Sequence, residues 1–203
     1  MKIRNFDTFA LVNIFFFLIM CYLVYYDRFI SYRGLANIHE FFFYATVIIS
    51  VIIIAWYKFR YLHVRLGLLV LIEIGILMHF SGAFIEVDGH RLYDSRFFDI
   101  RYDKFVHFTN ALISTFITLH IFSKRGIKDS NFTLLLAVLT VLGLGAVVEM
   151  VEYVVTLTVE HNGVGAYNNN MLDLVANFFG SIFAVILYKY KLKDLINPQI
   201  NKS

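Results

Sequence analysis

The sequence predicts an all-α protein, a polytopic membrane bundle of about six transmembrane helices. Three observations carry this. Of the 203 residues, 59% are hydrophobic and 18% aromatic, and the mean hydropathy is +0.68. A soluble domain of this length would have to expose much of that apolar surface to water, whereas lipid accepts it. The apolar residues also fall into runs of about 20, the length that crosses a bilayer. Finally, the basic residues alternate from loop to loop, as the positive-inside rule requires.

The first run covers about residues 6–26. Lys2 and Arg4 precede it as in a signal peptide, but it is too long and no small-x-small cleavage site follows, so it reads as a retained anchor. The second covers about 41–57 and the third about 62–80, broken by Glu73. A polar stretch from Ser81 to Tyr102 follows. The fourth helix covers about 103–122, the fifth about 132–158 with Glu149 and Glu152 inside it, and the sixth about 171–190, entered through Asp173. A polar tail holds the one proline, Pro198. No repeat is evident, and the chain reads as a single membrane domain.

Of the 18 Lys and Arg residues, twelve (Lys2, Arg4, Lys58, Arg60, Arg65, Lys124, Arg125, Lys128, Lys189, Lys191, Lys193, Lys202) fall on one side of this topology. The other six (Arg28, Arg33, Arg91, Arg96, Arg101, Lys104) fall on the other. The richer side should be cytoplasmic, with both termini there. A net charge of +3 is too small to suggest nucleic acid as a partner. Cys21 has no second cysteine to pair with and reads as a filler residue in lipid.

A charge inside hydrocarbon costs roughly 2.5–3.5 kcal/mol on insertion scales, so ionisable residues within spans call for a reason. In this topology they gather in one layer near the outer surface. Asp103, Lys104 and His107 open the fourth helix, Glu149 and Glu152 lie in the outer half of the fifth, and Asp173 and Asn177 open the sixth. Residues three or four apart share a helix face. That pairs Asp103 with His107, Glu149 with Glu152, and Asp173 with Asn177, with Gly180, Ser181 and Ala184 continuing the last face as a small-residue stripe for close packing. Glu73 and His79 are six apart, so at most one points squarely at the cluster, and Glu73 is the deeper.

Carboxylates and imidazole at one depth on several helices are the ingredients of a metal site. Glu149, Glu152, Asp173, Asp103 and His107 are the candidate ligands for Zn²⁺, Mn²⁺ or Mg²⁺. Glu149 and Glu152 are also the candidate acid/base pair. Arg101, Lys104 and Asn177 are candidate substrate contacts, with Arg91 and Arg96 nearby to receive a phosphate head group. These combine into a site for a polar lipid or lipid-linked envelope precursor. Blander readings exist for each group. Asp103 and Asp173 suit helix N-termini, Glu149 and Glu152 could pair with Arg101 or Lys104, His79 suits an interface, and His39 and Glu40 suit solvated loop ends. His63, His90, His120 and His161 read as surface or interface residues. A small transporter or proton-coupled carrier, and a non-catalytic scaffold, are the rival classes. Against a carrier, the acids stop in the outer half and no broken helix pair is evident.

Tyr102-Asp103-Lys104-x-x-His107-Phe108, Glu149-x-x-Glu152-Tyr153 and Asp173-x-x-x-Asn177-x-x-Gly180 resemble the ordered motifs of the YjdF-like inner-membrane proteins of bacteria, a family of unknown biochemical function. The same stretch, about residues 100–185, is more loosely similar to the VanZ-like proteins, which are linked to glycopeptide resistance. The resemblance implies a bacterial cytoplasmic-membrane protein and points to the cell envelope. Asn169 stands where the family usually has another Asp, which implies a weaker metal ligand there, and Tyr153 stands where tryptophan is usual.

Overall fold

The computed structural model describes residues 3–158 and 167–192. Lys2, His161, Lys193, Pro198 and Lys202, all used above, lie outside the described residues. The chain divides into two compact units, Met1–Leu69 and Val70–Ser203.

In the first unit, helix α1 (Asn5–Met20) passes through one wide turn at Cys21–Tyr25 into α2 (Tyr26–Arg33). Gly34 ends this rod at φ 77°, a left-handed conformation that costs glycine little. Helix α3 (Ile38–Phe59) follows. Arg33 and Glu40, the latter half-buried in the first turn of α3, form a 3.1 Å salt bridge across the turn. Helix α3 buries none of its residues within the chain. A helix apolar on all sides is suited to hydrocarbon.

Helix α4 spans Leu66–Phe84, four residues later at each end than the sequence reading of 62–80. The reason is local. Arg60–Leu62 form a tight turn and His63 adopts φ 50°, which reverses the chain before the helix can begin. At the far end Ser81, Gly82 and Ala83 are helix-compatible, and Phe84 stacks on Phe80 one turn earlier, with ring centroids 5.9 Å apart.

The polar stretch after α4 is not a plain loop. It forms two short antiparallel hairpins, β1 (Glu86–Val87) with β2 (His90–Arg91), and β3 (Arg96–Phe97) with β4 (Ile100–Arg101). Asp88-Gly89 and Phe98-Asp99 make the two-residue turns, all four at positive φ, the geometry that suits the twist of paired strands. Asp-Gly is a strong sequence signal for such a turn; Phe-Asp is not.

Helices α5 (Tyr102–Lys124), α6 (Asn131–Thr158) and α7 (Tyr167–Leu187) complete the second unit. The last begins four residues before the expected Met171, because Asn169 joins the first turn and bonds Asp173 one turn on. The most extensive packing is between α5 and α7. Asp173, Asn177, Gly180, Ser181 and Ala184 form the buried face of α7. A side chain at Gly180 would run into the backbone carbonyl of Phe108 on α5, so hydrogen at this position is what lets the two backbones touch. Val106, Ala111, Ile113, Phe116 and Leu119 fill the α5 side of the core, and Ala137, Val138 and Val141 the α6 side. Contrary to the surface reading of His120, that residue is buried, at 2% exposure.

Among the described residues, six helical segments are long and apolar enough to cross a membrane: Asn5–Ser31, Leu35–Leu62, Leu66–Phe84, Tyr102–Lys124, Asn131–Thr158 and Tyr167–Tyr190. This is the all-α polytopic architecture the composition predicts. The close approach at Gly180 gives a sharp test. Gly180→Ala should lower stability in detergent by about 1–3 kcal/mol by forcing α5 and α7 apart. Gly143→Ala, where a new methyl meets nothing within 4 Å, should be neutral or better. Thermal unfolding of the two variants side by side is the measurement.

Candidate functional site

Helix α5 begins at Tyr102 because Arg101 is extended, with ψ 146°. The first turn therefore carries Asp103, Lys104 and, one turn further, His107. Helix α7 starts at the same end, and its first turns carry Asn169, Asp173 and Asn177. The two N-terminal ends meet around one ammonium group. Lys104 Nζ donates to Asp173 Oδ1 at 2.7 Å, to Asn169 Oδ1 at 2.8 Å, to the Asn169 carbonyl at 3.0 Å and to Asp103 Oδ2 at 3.2 Å. Asn169 also donates to Asp173 Oδ2 at 2.9 Å and accepts from Arg101 at 2.9 Å. Asn169 is thus the joint of the network. Its side chain connects Lys104, Arg101 and Asp173.

His107 Nε2 lies 3.4 Å from Asp173 Oδ1. From α6, Glu149 enters the same space. Ligand atoms of His107, Glu149 and Asp173 all lie within 4.8 Å of one another. Glu149 is 6% exposed, and neither of its carboxylate oxygens has a hydrogen-bond partner. A buried acid without a hydrogen-bond partner carries its desolvation penalty unrelieved. Asp103 Oδ1 is likewise buried without a hydrogen-bond partner. Glu152 is half-buried one turn from Glu149, within electrostatic reach of His107, Asp173, Lys104 and Asp103. Asn177 is buried at 7%. Its amide nitrogen lies only 2.8 Å from where a side-chain carbon at Gly145 of α6 would sit. Gly145 is one turn before Glu149, so its missing side chain admits Asn177 beside the acid.

The charges do not balance. Among the described residues, Asp103, Glu149, Glu152 and Asp173 face two permanent cations, Arg101, which Asp94 shares, and Lys104. Within that set two negative charges lack a counter-charge, and protons or a divalent cation would neutralise them. The alternative pairing of Glu149 or Glu152 with Arg101 or Lys104 is not among the ion pairs of the described residues. Among the described residues these cations bond Asp94, Asp103 and Asp173. The phosphate-receiving role expected of the basic cluster finds the same obstacle. Arg91 and Arg101 both hold Asp94, at 3.0 and 2.8 Å, and Lys104 is enclosed, at 11% side-chain exposure. Arg96 bonds only a backbone carbonyl, that of Asp99, at 3.3 Å.

A second shell closes the site on the hairpin side. The Tyr93 hydroxyl hydrogen-bonds His79 Nδ1. The Tyr93 ring lies 2.9 Å from where a side-chain carbon at Gly82 would stand, so Gly82 admits it. Burial, and then the charges of Tyr102, Asp103 and Glu152, raise the Tyr93 phenol above its ordinary range, so it keeps its proton at neutral pH. The Tyr102 hydroxyl donates to the Met78 carbonyl at 3.3 Å. On α4, His79 comes within electrostatic reach of His107. Tyr93, in a polar stretch with no helical periodicity, gave no signal in the sequence.

A family model described as "Predicted membrane protein (DUF2238)" matches residues 8–194. No curated protein and no solved structure matches the chain.

The Lys104–Asp173 bond yields a stability prediction. Removing one partner of a buried pair leaves the other charge uncompensated, at a cost of about 3–5 kcal/mol. Lys104→Met should lose about that much in reversible unfolding in detergent. Adding Asp173→Asn to the same chain should restore part of it. Equal stability of Lys104→Met and the wild type would show that the pair is not what joins α5 to α7.

Proposed function

We propose, on the premise that the chain belongs to the DUF2238 family of membrane proteins, that it holds a divalent cation between α5, α6 and α7 and uses it on the polar head of a membrane lipid or lipid-linked envelope precursor. The observation that carries the reading is Glu149, a carboxylate buried without any hydrogen-bond partner, beside His107 and Asp173. One imidazole nitrogen and two carboxylates are a donor set suited to Zn²⁺ or Mn²⁺, with Mg²⁺ less suited because of the nitrogen. The two uncompensated negative charges match one divalent ion. His107, Glu149 and Asp173 would bind it, and Asp103 and Glu152 would stand behind them. When bound, such an ion polarises a phosphoryl or carbonyl oxygen. Glu152, half-buried and next to the ligand set, is placed to take or give a proton, while Asn177 and Lys104 hold the carboxylates in position.

Support for a lipid substrate comes from location. The cluster sits at the ends of membrane-spanning helices, and His107 keeps 24% side-chain exposure. On α6 the neighbours of the acids, Met150, Val151, Tyr153 and Val154, are exposed apolar or aromatic groups, a surface lipid can approach. The similarity to YjdF-like and VanZ-like motifs supports a bacterial inner membrane and an envelope role. The positive-inside count supports cytoplasmic termini and an outward-facing site. A carrier is less well supported. Between the cluster and buried His120 the buried residues of α5 are Ala111, Ile113, Thr115, Phe116, Thr118 and Leu119, with no acid among them.

Purified without chelators, the wild type should contain close to one equivalent of zinc or manganese by plasma mass spectrometry, and Glu149→Gln/Asp173→Asn should contain almost none. Metal-free wild type of normal stability that takes up neither ion on titration would sink the reading. For orientation, a Cys21→Ser background carrying a cysteine at Asp88 should be labelled on whole cells by a membrane-impermeant maleimide. The same background with a cysteine at Gly126 should be labelled only after lysis. The reverse pattern would turn the site toward the cytoplasm.

A further inference from the structure

Of the two hairpins between α4 and α5, the second breaks a local rule. Both turn on two residues at positive φ. The first uses Asp88-Gly89, a pair suited to that backbone. The second uses Phe98-Asp99, with Phe98 at φ 51°. Bulky L side chains are uncommon there, because Cβ crowds the neighbouring carbonyl. Contacts made by the side chain could offset that crowding, but Phe98 is 97% exposed. Its ring therefore gains almost nothing from the chain that holds it in this conformation. Phe97 and Ile100, on either side of the turn, are also exposed, at 43% and 48%. A strained turn carrying three exposed apolar groups is arranged for something outside the chain.

The position of the hairpin decides what that is. Strand β4 runs straight into α5, since Arg101 is followed by Tyr102, the first residue of the span Tyr102–Lys124. The Tyr102 amide donates to the Ser95 carbonyl at 2.9 Å, which closes the base of the hairpin on the helix start. The Tyr102 hydroxyl reaches the carbonyl of Met78, inside the span Leu66–Phe84. Tyr102 thus lies beside the apolar length of α4, and the Phe97 ring packs against it, with centroids 6.3 Å apart. The chain from Tyr102 back to Phe98 can span at most about 14 Å. A hairpin this short, with its base at the end of a span, lies in or against the lipid head-group layer. The apolar area is also small. Three side chains on one turn fall far short of the roughly 20–30 residues a side that a stable protein interface takes. Lipid needs no fitted surface, and aromatic rings are favoured at this depth. Arg96 is exposed on the same hairpin, where it holds the Asp99 carbonyl at 3.3 Å. Its long stem lets the guanidinium stay among phosphates while the rings go deeper.

We propose that the β3–β4 hairpin is a membrane-interface anchor. Phe98 inserts its ring among the first acyl carbons of the adjacent leaflet, with Phe97 and Ile100 beside it and Arg96 at the phosphates. The anchor fixes the depth of Arg101, the last residue of β4, which pairs with Asp94 and Asp103 and bonds Asn169. It thereby holds the acid cluster at the level of the lipid heads. The proposal rests on the hairpin and not on a cation in the cluster, so the metal-free protein inserts the same turn.

The test uses the full chain in a Cys21→Ser background, reconstituted in vesicles of phosphatidylcholine and phosphatidylglycerol. A nitroxide on Asp99→Cys sits beside intact Phe98, and one on Asp88→Cys, in the turn of the first hairpin, serves as the reference. Collisions with oxygen, which concentrates in the bilayer, should dominate relaxation at position 99. Collisions with a water-soluble nickel chelate should dominate at position 88. Adding Phe98→Asn, a residue that accepts positive φ, should shift the ratio of inserted to aqueous label at position 99 by about tenfold toward water, as for an aromatic ring leaving apolar surroundings. Phe98→Leu should keep the label inserted. Nickel-chelate access at position 99 equal to that at position 88 would overturn the proposal, and so would a label that stays inserted with Phe98→Asn. A label at position 99 shielded from both reagents would also overturn it, because protein, whether a second copy or another partner, would then cover the turn.

Discussion

The second unit depends on how one lysine is neutralised inside a membrane. Lys104 Nζ has three protons and finds four acceptors, two of them carboxylate oxygens on different helices. In hydrocarbon neither Lys104 nor Asp173 is tolerable alone, and only with α5 and α7 start to start do they meet. The rest of that interface follows the same alignment. With the ends pinned, the small residues of α7 fall opposite α5, and Gly180 reaches Phe108 closely enough that no side chain fits between. Charge fixes the register and small residues then set the distance. The order matters, because van der Waals packing between helices in lipid has little hydrophobic drive to correct a wrong register.

Against that well-satisfied pair, Glu149 stands out. The same unit that supplies four acceptors to one ammonium leaves two carboxylate oxygens with none. The glycine one turn before it opens the backbone of α6 to Asn177, so the unpartnered acid is not the result of poor packing. The network has been built up to Glu149 and stops there. A structural salt-bridge cluster would close on itself, as Asp7, Arg60, Trp56 and Arg4 do in the first unit. The contrast between the closed lattice and the open cluster is the strongest internal argument that the latter is arranged for something the chain does not itself supply.

Much of this was legible in the residues. The six spans follow from hydropathy because lipid makes the demand on each segment independently, and the boundaries erred mainly where local chain geometry intervened, at the His63 reversal and the early start of α7. The burial of Asp173, Asn177 and Gly180 on one face followed from spacing alone. Partner choice was not legible. Spacing shows which residues share a helix face, but whether Arg101 bonds Glu149 or Asp94 depends on the hairpin between α4 and α5, whose second turn, Phe98-Asp99, carries no turn signal. For the same reason neither Tyr93 nor the bonding of Asn169 could be found. Its amide bonds Asp173, Lys104 and Arg101 at once, and that requires three segments to be placed relative to one another.

The amide at position 169 has a further consequence for charge. A fifth carboxylate there would add a negative charge to a cluster that already has two without a cationic counterpart, and it could not donate to Asp173 Oδ2 as the Asn169 amide does. Asparagine accepts from Lys104 and Arg101 through its oxygen while donating to Asp173 through its nitrogen, so it joins two cations to an anion without adding a charge of its own. The proposed cation, held by His107, Glu149 and Asp173, would therefore share Asp173 with the lysine that joins α5 to α7, and Glu149 would be the ligand that no hydrogen bond already holds.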